Sequence, residues 1–260
     1  MGKFFNVDVL PDCIAGDISD NDGSTDIGAG DIVFGWTAVD VPKGSCMIKS
    51  ITAYANAEDG AYGSGSLTDL ELIFAKSIGG VAPASLGAIN AAPTGFIRSN
   101  VVGAARLESE ASKGTLSKTA FGVVYSHGIS GGANTNIGPN VVIDLEPDSG
   151  TNVGYDKLYV AGLQVSARNY GTGVLLNEST IDASANPTSE IVVDGVDARK
   201  IFSIGDTVYV FDLDTPIPGT LTKVEELKLT FSEENSTVDI TENDELLNAN
   251  PWRLKIGFEK

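Results

Sequence analysis

Trp252-Arg-Leu-Lys-Ile-Gly-Phe258 sets Trp252, Leu254, Ile256 and Phe258 on one side of an extended chain and Arg253 and Lys255 on the other. Strand side chains alternate between faces with a period of two, so this stretch reads as a strand with one buried and one solvated face. The residues before it repeat the signal in shorter blocks. Phe202-Ser-Ile-Gly-Asp206-Thr-Val-Tyr-Val-Phe211, Gly219-Thr-Leu-Thr-Lys-Val224 and Leu227-Lys-Leu-Thr-Phe231 are each β-branched or aromatic runs bounded by turn residues. A compact β-barrel-like module over residues 174–260 is therefore expected to close the chain, with Val174 supplying its first strand. Asn177 to Glu190, rich in Ser, Asp and Asn, reads as a linker or extended loop. Glu242 to Asn248 offers a short helix, with Leu246 and Leu247 packing down before Pro251 stops the turn.

Residues 1–173 also read as strands, at Phe4–Leu10, Ile32–Val41, Met47–Asn56, Leu70–Ala75, Phe121–Tyr125, Val141–Leu145 and Leu158–Ala167. Leu70, Leu72 and Phe74 give one of them a core stripe. Strands this frequent, separated by Gly/Asp/Asn/Ser clusters instead of helical periods, point to an all-β fold. The expected form is an antiparallel β-sandwich, a jelly roll being one version, and not a βαβ layout. Arg106–Lys113 is polar nearly all round and reads as a loop or surface turn in preference to a helix. The connections Gly16–Gly30, Gly79–Gly95 and Ser126–Pro139 are long, which suits segments that bind something or are ordered by a neighbour.

Composition narrows the chemistry. The 260 residues carry 35 acidic against 17 basic side chains, a net charge of −18, so the average surface repels phosphate and direct nucleic-acid binding is not expected. Apolar runs are too short for a membrane-spanning helix, and no membrane partner is expected. Thirty glycines and ten prolines supply the turns an all-β chain needs. The N-terminus lacks the apolar run of a secretion signal, so Cys13 and Cys46 are expected as free thiols in a cytosolic product.

Candidate chemistry is sparse. Gly128-Ile-Ser130-Gly-Gly132 matches the nucleophile-elbow pattern, but the single histidine, His127, lies three residues away and no helix signal follows; an exposed turn is the better reading. Asp17, Asp20, Asp22 and Asp26 form the densest acidic cluster. Counted from Asp17, however, the EF-hand glycine position holds Asp22 and the bidentate glutamate position holds Gly28, so solvated turn residues are favoured over a calcium loop. Asp144, Glu146 and Asp148 alternate at a strand end, where facing water is favoured over paired-carboxylate catalysis. No spacing fits zinc, a P-loop or a dinucleotide fingerprint. Trp36 and Trp252 sit within strand patterns and read as core. No catalytic, cofactor-binding or metal-binding residue is expected, and no cofactor.

The ordered string Gly205-Asp206-x-Val-Tyr, Gly-x-Leu-x-x-Val, Leu-x-Phe and Glu245-Leu-x-Asn-x-Asn-Pro251 resembles modules of virion structural proteins of tailed bacteriophages, marine ones in particular. The resemblance covers residues 174–260 and implies a non-enzymatic accessory capsid protein of the cement or decoration kind. Such a protein sits on the capsid exterior after assembly in the host cytoplasm, with the major capsid protein and copies of itself as partners. The long spine helix of major shell proteins has no counterpart in this sequence. A tail, neck or fibre-associated virion protein is the alternative within that class. A carbohydrate-binding β-sandwich and a hydrolase on a β scaffold are the alternatives outside it. The strand beginning Phe4-Phe5 is either an ordinary edge strand of its own sheet or an element that adds to a neighbour's sheet.

Overall fold

The computed structural model describes residues 2–13, 26–56, 69–95, 100–107, 122–127, 141–146, 156–169, 174–176, 181, 183–194, 197–210, 213 and 215–260. These residues form antiparallel sheets and contain no α-helix, as an all-β reading requires. The elbow around Ser130, the Asp17–Asp22 part of the acidic cluster and Asp148 lie outside them, as does most of Arg106–Lys113.

The first sheet runs β1 (Phe4–Val9), β18 (Trp252–Glu259), β4 (Gly44–Asn56). The far edge of β4 is shared: β8 (Val141–Leu145) pairs with residues 44–48 and β7 (Gly122–His127) with residues 51–56. The second sheet has the order β3 (Ile32–Val39), β9 (Leu158–Gln164), β5 (Leu70–Lys76), β6 (Val101–Leu107). The two face one another, with β1 near β3 and β6 near β8, and share one core. Trp252, Leu254, Ile256 and Phe258 enter it from one side, and Phe34, Leu70, Leu72, Phe74 and Val160 from the other. Each large apolar side chain so buried contributes about 1.5–3 kcal/mol. A two-stranded ribbon of β2 (Asp26–Ile27) and β10 (Arg168–Asn169) lies outside both sheets.

The third sheet has its own core and the order β14 (Thr215–Pro216), β13 (Val208–Val210), β17 (Glu245–Asn248), β11 (Val174–Leu176), β12 (Thr188–Asp194), β16 (Lys228–Asn235), β15 (Leu221–Glu225). The Gly205 N–H donates to the Leu221 carbonyl at 2.7 Å and the Leu221 N–H to the Asp206 carbonyl at 2.9 Å. These bonds curl the two ends of the sheet toward each other. No ladder closes, so among the described residues there is an open, curled sheet and no barrel.

Two further expectations need correction. The strand Trp252–Phe258 is expected in the closing module, yet β18 lies in the first sheet, paired to β1 on one side and β4 on the other. A strand pattern fixes which face is buried but leaves the partner open, and the partners here are nearly two hundred residues or more away in sequence. Glu242–Asn248 is not a helix, since Glu245–Asn248 forms β17. Leu246 enters the third sheet's core while Leu247 packs on the opposite face with Tyr209 and Ala249, a two-sided burial that suits a central strand.

A β-bulge lets β4 serve β18 along its whole length. Gly257 opposes Ser50 and Phe258 opposes Ile48, leaving Lys49 as the extra residue. Cys46 and Ile48 before it and Ile51 and Ala53 after it all face the core, while β18 alternates without interruption. In the second sheet Phe34 lies directly over Gly162, where an added Cβ would overlap the ring. Phe34 and Gly162 are both buried, so the ring is held against the backbone by the core around it. Gly162→Ala is expected to lower stability by about 1–3 kcal/mol in urea unfolding. Gly35→Ala, where an added Cβ meets nothing within 4 Å, should be neutral or slightly stabilising; equal losses at both sites would refute the packing argument.

Candidate interaction surface and the junction behind it

The polar residues of the C-terminal string converge on one buried place. Asp206, 1% exposed, accepts through Oδ2 from the Ser203 N–H at 2.7 Å and the Asn248 Nδ2 at 2.9 Å. Its Oδ1 accepts from Arg253 Nη2 at 2.5 Å, and the same nitrogen donates to the Ile204 carbonyl at 3.1 Å. Asn248 Nδ2 also donates to the Ile201 carbonyl at 2.7 Å, and its Oδ1 accepts from the Asn250 N–H. Asn250 in turn accepts from the Thr207 N–H at 2.8 Å and donates to the Pro11 carbonyl at 2.8 Å. Backbone bonds from Cys13 to Ala249 and from Ala249 to Thr207 complete the junction. Three chain segments thus meet: the one after β1, the turn before β13, and the link from β17 to β18.

The local chain explains the geometry. Gly205 has φ +92°, a backbone region that suits glycine, and this lets Ser203–Asp206 turn tightly enough for the carboxylate to cap its own turn. Pro251 follows Asn250 and directs the chain into β18, so that Arg253 reaches back to Asp206 while Trp252 enters the sandwich core. Burial pushes the Asp206 carboxyl above its ordinary range, and the Arg253 guanidinium, the Ser203 N–H and the Asn248 amide pull it back. Burial also raises the Cys13 thiol, helped by the charge of Asp12, so this free cysteine is a poor nucleophile. Cys46 is likewise free and buried, its thiol raised chiefly by burial.

On the outer face of the first sheet, Arg253 and Lys255 stand beside Tyr54, Thr52 and Asp8 around a shallow hollow of about 500 Å³. Burial raises the Tyr54 hydroxyl, with Arg253 opposing. Toward the other end of the same face, Phe4 opposes Glu259, Glu259 opposes Met47 and Met47 opposes Val142, a row across four strands. Phe4 is 71% and Val142 61% exposed. Phe5, its neighbour, stacks on Phe258 at 5.2 Å between ring centroids, so β1 pairs within its own sheet and leaves one aromatic outside.

The sequence candidates are not brought together. Asp144 is exposed on β8 and accepts from the Ser45 hydroxyl at 2.8 Å, and Glu146 is exposed just beyond the strand, as a water-facing strand end requires. Trp252 is core, and Trp36 packs against the core with its Nε1 donating to the Ala84 carbonyl at 2.9 Å. Among the described residues no three His, Cys, Asp or Glu side chains form a metal-holding group, and no helix is long and apolar enough to cross a membrane. The sequence does not reveal these residues as a network, although Asp206, Asn248 and Asn250 stand in the motif string. Compared with family models, with curated proteins and with solved structures, the chain matches none.

Asp206→Asn keeps the shape but puts an amide donor where one acceptor oxygen stood, so that either Arg253 or the Ser203 N–H and the Asn248 amide face a donor. A stability loss of about 1–3 kcal/mol is expected from the buried donor left without an acceptor. Because the folded carboxyl holds its proton more tightly than the unfolded chain does, its contribution is full below the ordinary carboxylate pKa. It is lost as pH rises through the raised one. The stability gap between wild type and Asp206→Asn should therefore narrow as pH rises through the carboxylate range in denaturant titrations; a gap that widens would contradict the direction of the shift.

Proposed function

We propose that this chain is a non-enzymatic structural protein of a virus particle, a capsid cement or decoration protein that binds the assembled shell of a tailed bacteriophage and stabilises it. The observation that carries the reading is where the resembling residues fall. Gly205-Asp206, Asn248, Asn250-Pro251 and the adjoining Trp252-Arg253 make the buried junction that holds the third sheet to the sandwich. A motif string spent on architecture suits a protein whose task is to present rigid surfaces. The exposed Phe4 and Val142 and the sheet edges that have no strand partner among the described residues supply surface for such contacts.

A cement protein acts by linkage. It binds the assembled lattice better than free subunits, so its occupancy adds to the free energy needed for rupture. Many copies on a symmetric shell let modest contacts sum through avidity. The major capsid protein and other copies of this chain are the partners the reading calls for.

Particles of the phage that encodes this chain provide the test. Quantitative mass spectrometry should find copies on the order of hundreds per particle, in a fixed ratio to the shell subunit, and symmetry-averaged reconstruction should place the chain on the exterior. Particles lacking it should rupture at lower temperature. About a dozen copies or fewer would move the protein to the tail or neck, and absence from purified particles would overturn the reading.

A further inference from the structure

The edges of the sheets are not equally protected. Natural edge strands avoid stray pairing by means of prolines, lysines, bulges or covering segments. In the third sheet β14 ends on Pro216, and β15 carries Lys223 beside a bulge. In the second sheet β3 is bulged twice against β9, and the N–H and carbonyl of Ile32 are taken up by Ala91 and Asn90. Between Phe4 and Val9, β1 has none of these devices. It pairs with β18 without a bulge, contains neither proline nor lysine, and holds its one charged residue, Asp8, 3.4 Å from Lys255. No described strand pairs with its other side. Lys3 and Lys260 exchange both backbone hydrogen bonds at 2.9 Å. An antiparallel ladder alternates, so Phe5, Val7 and Val9 also bond to β18, while the N–H and C=O groups of Phe4, Asn6 and Asp8 point to the open side.

We propose that this edge pairs with the β1 edge of a second copy, antiparallel about a two-fold axis at Asn6, so that the first sheet runs on from one molecule into the other. Backbone parity restricts the register, because residues whose bonding groups point outward must face one another. Axes at Phe5, Asn6 or Val7 satisfy it. With the axis at Asn6, Asn6 faces Asn6 and Phe4 faces Asp8 of the copy, each pair exchanging both backbone bonds, while Phe5 faces Val7 on the core side. Phe5 and Val7 are the residues that lack cover: both pack against the core yet stay only half-buried, whereas Val9 is 4% exposed. An aromatic side chain opposite a β-branched one is a favourable cross-strand pair. An axis at Phe5 would set Val7 against Lys3, and an axis at Val7 would spend Phe5 on the already buried Val9. The Asn6 register also sets no two like charges opposite each other. The strand is thus its own complement, and this selects a second copy over an unrelated extended segment. A two-fold contact occupies both edges and closes at a dimer. The net charge of −18 opposes association at low salt, but at physiological ionic strength, with a screening length of about 8 Å, the local contact decides. The inference rests on the edge itself and does not require the virion reading.

Analytical ultracentrifugation of the full chain at physiological salt tests it with two variants of the residue on the axis, Asn6→Lys and Asn6→Asp. Asn6 is exposed, and unchanged melting temperatures would verify the fold. The wild type should show a concentration-dependent dimer and nothing larger. Each variant alone sets like charges against each other at the axis and should lose about tenfold or more in dimer affinity. Mixed together they should pair again, because lysine then meets aspartate. Asn6→Pro removes an outward N–H without touching a bond to β18, and it should abolish the dimer in a chain that still folds. A wild type that stays monomeric to millimolar concentration, species that grow beyond the dimer, variants that associate like the wild type, or a mixture that does not recover would each overturn the proposal.

Discussion

A carboxylate taken out of water must find its hydrogen-bond partners in the protein, and Asp206 is the group on which the arrangement of this chain turns. Its two oxygens collect a backbone N–H from its own turn, an amide from the end of β17 and a guanidinium from β18. No single sheet can supply all three. Satisfying Asp206 therefore fixes the turn before β13, the Asn248–Pro251 link and the outer face of β18 together. Asn250 extends the constraint to Pro11, just beyond β1. Removing the carboxylate leaves a guanidinium, an amide and an N–H without their acceptor, which explains why one residue matters more here than its size suggests.

The packing consequences run outward from that point. With Arg253 held back toward Asp206, the alternation of β18 must carry Trp252, Leu254, Ile256 and Phe258 into the sandwich. The strand is then wedged between β1 and β4, and the β4 bulge at Lys49 keeps both of its halves in register with it. The C-terminal strand thereby completes a sheet begun by the N-terminal one, so the sandwich cannot be finished until the third sheet's chain has been laid down. The same geometry leaves Lys255 and Lys49 outside, where each meets a carboxylate, Asp8 and Glu259.

Much of this was legible in the sequence, and the failures have physical reasons. The face alternation of β18, the Leu70–Leu72–Phe74 stripe and the limits of β8 follow from period-two patterning, which is local. Val101–Leu107 escaped because Gly103, Ala104 and Ala105 dilute its apolar signal, and β12 escaped because Pro187 and polar neighbours mask Ile191 and Val193. Glu245–Asn248 was misread because two adjacent leucines fit a helix end as well as a strand buried on both faces. Sheet membership was not legible at all. Asp206, Asn248 and Asn250 could be seen in a motif string with Arg253 just beyond it, but only the fold brings Arg253 to Asp206 and Asn250 to Pro11, 239 residues away. The outer face of the first sheet was half visible, in Arg253 and Lys255 sharing a strand face; the row from Phe4 through Glu259 and Met47 to Val142 required the register between four strands.

Native-state hydrogen exchange tests the central claim most directly. If the Asp206 junction binds the third sheet and the sandwich into one cooperative body, the amides of Cys13, Thr207, Ala249 and Asn250 exchange only through global unfolding. Their free energies of opening then equal those of core amides such as Ile51 and Val160, and fall with denaturant at the same slope. Junction amides that exchange through a smaller opening, with the two cores keeping separate higher values, would contradict it: the two parts would then be independent units that merely touch.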